Sequence, residues 1–61
     1  MIHITLPDGT LKKFEAPPTG LEVARTISEG LARNCVAMEL DGRVVDLNTE
    51  ITRDTRLRLI T

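Results

Sequence analysis

Two residues of this sequence are of the types that most often carry out chemistry, the single histidine His3 and the single cysteine Cys35. A general base such as His3 needs a nucleophile within hydrogen-bonding reach, and the sequence near it offers none. Arg33 and Asn34 could lower the pKa of the Cys35 thiol, but no catalytic partner accompanies it, and a second thiolate for a metal site is missing. We therefore expect no catalytic, cofactor-binding or metal-binding residue in this chain. His3 is predicted to be an exposed strand residue and Cys35 a small buried one.

Basic side chains are the other candidates for function, because lysine and arginine can contact the phosphates of a nucleic acid without reading its sequence. The candidate RNA-phosphate contacts are Lys12, Lys13, Arg43, Arg53, Arg56 and Arg58. The alternative is an ordinary solvated surface on which Glu15, Glu50 and Asp54 offset these charges, and the net charge of −1 favours it. No exposed aromatic side chain is predicted that could stack on a base, so any RNA contact should be weak and sensitive to salt.

The composition predicts one small soluble domain. The chain has 61 residues, of which 41% are hydrophobic and 28% charged. Its only aromatic residue is Phe14, so the thin core of such a small domain must be built from Ile, Leu and Val. One cysteine allows no internal disulfide, which fits a reducing, cytoplasmic compartment. No apolar stretch approaches the roughly 18 residues of a membrane span, and the N-terminus lacks the pattern of a signal peptide.

The elements that would position the basic side chains begin with a β-hairpin. Apolar residues at positions 2, 4 and 6 alternate with polar ones, which is the period of a strand with one buried face. In LPDGT, residues 6–10, Pro7 presets the turn and Gly9 can adopt the left-handed conformation that follows it. The next run, LKKFEA at residues 11–16, is predicted to be the returning strand, with Phe14 as its core residue.

One helix is predicted over TGLEVARTISEG, residues 19–30. Thr19 and Glu22 have the spacing of a capping box, in which each side chain accepts a hydrogen bond from the other residue's backbone N–H. Gly30 lies where a glycine commonly ends a helix. The apolar residues recur at helical spacing and predict one buried stripe, formed by Val23, Ala24, Ile27 and Leu31.

The second half of the chain predicts another hairpin and a closing strand. CVAMEL, residues 35–40, and RVVDL, residues 43–47, flank the tight-turn pair Asp41-Gly42. Residues 48–54 are predicted to be a polar loop that is attached to the core by one apolar residue, Ile51. LRLI, residues 57–60, forms the last strand.

The order β-β-α-β-β-loop-β indicates an α+β fold, because a single amphipathic helix needs a sheet to cover its apolar stripe. The β-grasp, or ubiquitin-like, arrangement suits this order best: a mixed sheet of four to five strands packed on one helix, with the last strand in the middle. Arg56 and Arg58 would then share the sheet face away from the helix. We expect residues 1–61 to form a single domain. β-grasp conjugation tags and sulfur carriers act through a flexible Gly-Gly tail, whereas LIT here continues a strand.

The segments ITLPDGT, LEVARTISEGLARNC and DGRVVDL, with the closing LIT, together resemble the TGS domain family over essentially the whole chain. The similarity is closest to the N-terminal TGS domains of bacterial threonyl-tRNA synthetases. TGS domains also occur in (p)ppGpp synthetases and Obg-related GTPases. The (p)ppGpp enzymes typically have a Gly-His-Arg-Cys-like stretch whose histidine contacts the tRNA end, where this sequence has ARNC at residues 32–35. They also usually carry Gly-Asp before the last strand, where RDT stands here at residues 53–55.

The resemblance implies that residues 1–61 are the N-terminal fragment of a larger protein, a non-catalytic accessory module of an enzyme that ligates L-threonine to tRNA(Thr) using ATP. It implies zinc, ATP and magnesium for the parent enzyme and none of these for residues 1–61. The implied partners are the editing and catalytic domains of the same chain, with tRNA as a further candidate and no membrane. The fragment is expected to be a monomer, the parent a homodimer, and both cytoplasmic. The alternative is a regulatory, RNA-sensing TGS domain of a (p)ppGpp synthetase/hydrolase or an Obg-related GTPase.

Overall fold

A five-stranded mixed sheet carries two short helices on one face in the computed structural model, which describes all 61 residues. The elements follow in the order β1 (Ile2–Thr5), β2 (Leu11–Phe14), α1 (Gly20–Ile27), α2 (Glu29–Asn34), β3 (Ala37–Leu40), β4 (Arg43–Val45) and β5 (Thr55–Ile60). The strand order is β2-β1-β5-β3-β4, with β1 and β5 parallel and the other neighbours antiparallel. The predicted β-grasp fold, with the last strand in the middle of the sheet, is confirmed.

Both predicted tight turns are present, because their residues adopt the backbone conformations that such turns require. The Gly9 N–H donates to the Leu6 carbonyl at 2.9 Å, and Gly9 has a φ of 90°. Asp41 and Gly42 have φ values of 49° and 86°, which is the left-handed pair of a two-residue hairpin turn. These turns set the register of the two hairpins and thereby the side of the sheet on which each side chain lies.

The prediction of a single helix is wrong: the chain forms two helices, which are separated at Ser28. Ser28 is extended, with φ −169° and ψ 138°; its N–H donates to the Ala24 carbonyl, and its side chain accepts from the Leu31 N–H. Ser28 therefore ends α1 and caps α2. Gly30, predicted to end the helix, lies instead in the first turn of α2. The capping box of Thr19 and Glu22 at the start of α1 is confirmed, with hydrogen bonds of 3.0 and 3.2 Å.

The interruption also corrects the predicted apolar stripe. Val23 and Ala24 are fully buried, but Ile27 is 42% exposed and is not a core residue. Because α1 ends at Ile27, the chain changes direction there, and Leu31 is carried by the second helix. Helical periodicity applies only within one continuous helix, so the spacing from Val23 to Leu31 does not describe a single face. Neither helix is long and apolar enough to span a membrane.

The core consists of two clusters between the sheet and the helices. The larger contains Ile4, Leu6, Val23, Met38, Ile51 and Leu57, and the smaller contains Ala24, Ala32 and Cys35. The predicted role of Ile51 is confirmed, since it is 2% exposed and its N–H donates to the Pro18 carbonyl at 2.7 Å. Phe14, predicted as a core residue of the first hairpin, is only partly buried against the larger cluster.

The strands are shorter than the sequence patterns predicted, except for the last. β3 begins at Ala37, because Cys35 is the residue that ends α2. β4 stops at Val45, where the Asp46 carboxylate accepts the Asn48 N–H at 2.8 Å and begins a turn. β5 starts two residues before the predicted Leu57. Its buried and exposed residues alternate, so the strand presents charged side chains to one side only.

Candidate nucleic-acid interface

The sheet surface opposite the helices, called the open face here, carries part of the predicted basic set. In β5, Thr55 and Leu57 are buried toward the helices, so Arg56 and Arg58 between them lie on the open face. Lys13 is the cross-strand partner of His3, and His3 alternates with the buried Ile4, which places Lys13 on the same face. The prediction that Arg56 and Arg58 face away from the helices agrees with this arrangement.

The remaining basic candidates lie elsewhere. Residues directly opposite one another in antiparallel strands point to the same side of the sheet. Lys12 pairs with Ile4 and Arg43 with Leu40, both of which pack on the helix side, so these two basic residues lie at the sheet edges on that side. Arg53 lies in the loop before β5. The six candidates therefore do not form one cluster, and only Lys13, Arg56 and Arg58 share the open face.

Arg58 is held by an acidic neighbour that sequence reasoning missed. Its Nη2 lies 3.0 Å from Oε2 of Glu39, and its Nε lies 3.5 Å from Oε1 of the same carboxylate. Glu39 and Arg58 are directly opposite in the β3–β5 register, which explains the two-point contact. The hydrogen bonds from Arg58 lower the pKa of Glu39, and the hydrogen bonds to Glu39 raise the pKa of Arg58. Both groups are therefore charged across the physiological range.

Arg56 differs from Arg58, because its side chain makes neither a hydrogen bond nor an ion pair. Its backbone N–H donates to Oδ1 of Asp41 at 3.1 Å, and the Asp41 N–H donates to the Arg56 carbonyl at 3.0 Å. The first of these bonds is the main cause of a lowered pKa at Asp41. The Asp41 carboxylate is thus hydrogen-bonded to the backbone of Arg56, while the Arg56 guanidinium acts on it only through its charge and has no hydrogen-bond partner in the protein.

The two hairpin turns border an open groove of about 380 Å³ beside these arginines. Thr5, Pro7 and Gly9 line it from the first hairpin, and Gly42 lines it from the second. Arg56 and Arg58 line it from β5, and the carboxylates of Glu39 and Asp41 line it from β3 and the turn that follows. Both carboxylates have partners, Glu39 in the Arg58 side chain and Asp41 in the Arg56 backbone N–H, so an anion such as a phosphodiester would meet one guanidinium without a hydrogen-bond partner in this groove.

His3 and Cys35, the two residues of types that often carry out chemistry, both have structural roles. The His3 N–H donates to Oδ1 of Asp54 at 2.9 Å, and the His3 Nδ1 lies 3.2 Å from Oδ2 of the same carboxylate. The side chain of His3 is 41% exposed, as predicted for a strand residue on the solvated face. Cys35 is buried as predicted, and this burial raises the pKa of its thiol, which therefore stays protonated and unreactive near neutral pH.

The partners Glu39, Asp41 and Asp54 could not be found by spacing along the chain. Asp54 is 51 residues from His3, and Glu39 is 19 residues from Arg58. The signal that predicts them is the β-grasp topology itself. Once β5 is placed between β1 and β3, residue 54 must lie near the start of β1, and the turn after β3 must lie near Arg56.

Comparison with known proteins agrees with this fold. The TGS domain family matches residues 2–61. The chain is 61% identical to a protein named threonine–tRNA ligase from Desulforapulum autotrophicum, 53% identical to one from Gluconacetobacter diazotrophicus and 49% identical to one from Flavobacterium psychrophilum. Each match extends over 61 residues, which is 100% of this chain. The chain covers 10%, 10% and 9% of these proteins, so it spans about a tenth of the length of the curated relatives that it matches. The family match across nearly every residue and the five-stranded β-grasp sheet together establish that the chain belongs to the TGS domain family.

Proposed function

We propose that this chain serves as the non-catalytic accessory domain of a threonine–tRNA ligase. The observation that carries the proposal is the 61% identity over the whole chain to a protein of that name, of which the chain covers 10%. In such an enzyme the partners of this domain are the editing and catalytic domains of the same polypeptide. ATP, zinc and magnesium act in those domains, and the enzyme works in the cytoplasm as a homodimer. The relatives favour this parent over a (p)ppGpp synthetase or an Obg-related GTPase.

The contribution of the domain to such an enzyme is a weak electrostatic contact with tRNA through the open face. Lys13, Arg56 and Arg58 support this proposal because they share one side of the sheet. Phosphate contacts of this kind position an RNA without specifying its sequence. With a net charge of −1, the chain neutralises few phosphates, so binding should be weak and should fall as salt rises. A merely solvated surface is the competing interpretation of the same residues.

The proposed role can be tested in a chimera. The 61 matching residues of the Desulforapulum ligase are replaced by this chain, which is 61% identical to them. We expect the chimera to form threonyl-tRNA. A second chimera carries Lys13→Glu and Arg56→Glu, which reverse the charge of the open face; its KM for tRNA should rise while its threonine-dependent exchange of pyrophosphate into ATP stays unchanged.

The matched control reverses two charges on the helices, Arg25→Glu and Arg33→Glu, which leave the open face intact. If both charge-reversed chimeras have the same KM for tRNA as the parent chimera, the open face does not contact tRNA and the solvated interpretation is correct. A loss of pyrophosphate exchange in the open-face chimera would mean that these side chains influence the catalytic domain instead. An unmutated chimera that folds but forms no threonyl-tRNA would contradict the accessory role itself.

A further inference from the structure

The two arginines on the open face of β5 are not equivalent, and their difference locates the anion site. Arg58 gives two nitrogens to the Glu39 carboxylate, at 3.0 and 3.5 Å. Arg56 gives none of its side-chain nitrogens to any protein group, and it lines the groove between the two hairpin turns. A phosphate that approaches this face therefore meets one free guanidinium and one already neutralised by an acid.

We propose that an RNA phosphodiester binds in the groove between the two hairpin turns through Arg56, and that Glu39 keeps Arg58 from joining the contact. The inference rests on the proposed tRNA contact and adds the residue that makes it and the residue that limits it. Glu39 thereby sets the strength of RNA binding although it touches no RNA.

The geometry around Arg56 fits this role. Asp41, in the turn after β3, also lines the groove; its carboxylate accepts the backbone N–H of Arg56 at 3.1 Å and makes no hydrogen bond with the Arg56 guanidinium. The neighbouring residues of the groove include Gly9 and Gly42, at which a Cβ atom would meet nothing within 4 Å. Neither glycine carries a side chain that could narrow the groove beside Arg56.

The limitation by Glu39 follows from the cost of breaking an ion pair. For Arg58 to bind a phosphate with both nitrogens, it must leave Glu39, whose side chain is only 29% exposed and would lose its only hydrogen-bond partner. The phosphate would also remain beside an unneutralised carboxylate, which repels it. Arg58 should therefore add little to RNA affinity while Glu39 is charged.

The test is a fluorescence titration of labelled tRNA(Thr) transcript with the 61-residue chain and its variants in low salt. Glutamine replaces each charged residue because it has the shape of glutamate and, in place of arginine, keeps the side chain as far as Cδ while removing the charge. We expect Arg56→Gln to weaken binding about fivefold, the size of one exposed charge contact, and Arg58→Gln to weaken it less than twofold. Glu39→Gln should tighten binding about fivefold, and the double variant Glu39→Gln/Arg58→Gln should lose most of that gain.

Matched controls separate these effects from net charge. Glu29→Gln makes the same charge change as Glu39→Gln on helix α2, and Arg33→Gln makes the same change as Arg56→Gln there. Both should alter affinity less than twofold. Equal losses for Arg56→Gln and Arg58→Gln, or equal gains for Glu39→Gln and Glu29→Gln, would refute this inference while leaving the tRNA contact in place. Absence of binding by the natural chain and by Glu39→Gln, with unchanged circular dichroism, would refute the tRNA contact and this inference together.

Discussion

Replacing Ile51 with alanine should destabilise the domain far more than replacing Ile27 with alanine. Ile51 lies in an irregular loop, yet it is 2% exposed and packs in the larger core cluster with Ile4 and Met38. Ile27 lies in α1 at a spacing that predicts burial, yet it is 42% exposed. The two variants remove the same atoms, so the difference between their free energies of unfolding reports the difference in burial.

The expected magnitudes follow from the atoms removed. Isoleucine loses three carbon atoms on conversion to alanine, which at about 0.8 kcal/mol for each buried carbon gives roughly 2.4 kcal/mol for Ile51. The cavity left behind raises this into the range of about 2–5 kcal/mol. At Ile27 much of the side chain is already in water, and the higher helix propensity of alanine offsets part of the loss, so we expect less than about 1 kcal/mol. A domain of this size has a total stability of roughly 3–9 kcal/mol, so the loss at Ile51 is a large fraction of it.

The measurement is urea denaturation at neutral pH, followed by far-ultraviolet circular dichroism, with the midpoints and slopes of the three proteins compared. If Ile51→Ala does not fold, Ile51→Val still tests the assignment, because it should cost about 0.5–1.5 kcal/mol. A larger loss at Ile27 than at Ile51 would refute the reasoning. It would mean that the last turn of α1 is packed in the core, as a continuous helix through Ser28 would require.

Three further predictions concern local features of the fold. Gly20→Ala should destabilise the domain by about 1–3 kcal/mol in thermal melts, because the added Cβ would overlap the sulfur of the fully buried Met38. Gly30→Ala should instead stabilise the domain by up to about 1 kcal/mol, because its Cβ would meet only Ser28 Oγ, at 3.6 Å, and alanine favours a helix more than glycine does. Hydrogen bonds from the His3 backbone N–H, and to a lesser degree from the His3 ring, lower the pKa of Asp54. The stability that this carboxylate contributes is therefore present above about pH 4 and is lost as the pH falls through the lowered pKa. The difference between the urea midpoints of the natural chain and Asp54→Asn should be largest at neutral pH and should shrink as the pH is lowered further into the acid range; a difference that does not depend on pH would contradict the assignment. Thr19→Ala should cost about 1 kcal/mol in urea denaturation, because the Glu22 N–H loses its acceptor, and no change would mean that the capping box is not formed in solution.

The parts of the fold that are predictable from sequence are those governed by neighbouring residues. Pro7 and Gly9 make the first turn and Asp41-Gly42 the second, because the backbone angles of a turn depend on the residues within it. The capping box depends only on a spacing of three residues. Once the turns and the helix start are known, the last strand can be placed, and its alternating apolar and charged residues predict which side of the sheet carries Arg56 and Arg58.

Sequence alone therefore determined the fold class, both hairpins and the open-face position of the two β5 arginines. The tertiary structure decided where the helix is interrupted and which arginine is free. The Ser28 backbone N–H bonds to the last turn of α1, and its side chain caps the first turn of α2. The position of Ser28 in the sequence does not distinguish this role from that of an exposed residue in one continuous helix. The Glu39–Arg58 pair joins residues 19 apart in the chain, and Asp41 meets the backbone of Arg56 and not its side chain. Such contacts arise from strand register across the sheet, which only long-range packing specifies, because turn and helix preferences act over about four residues.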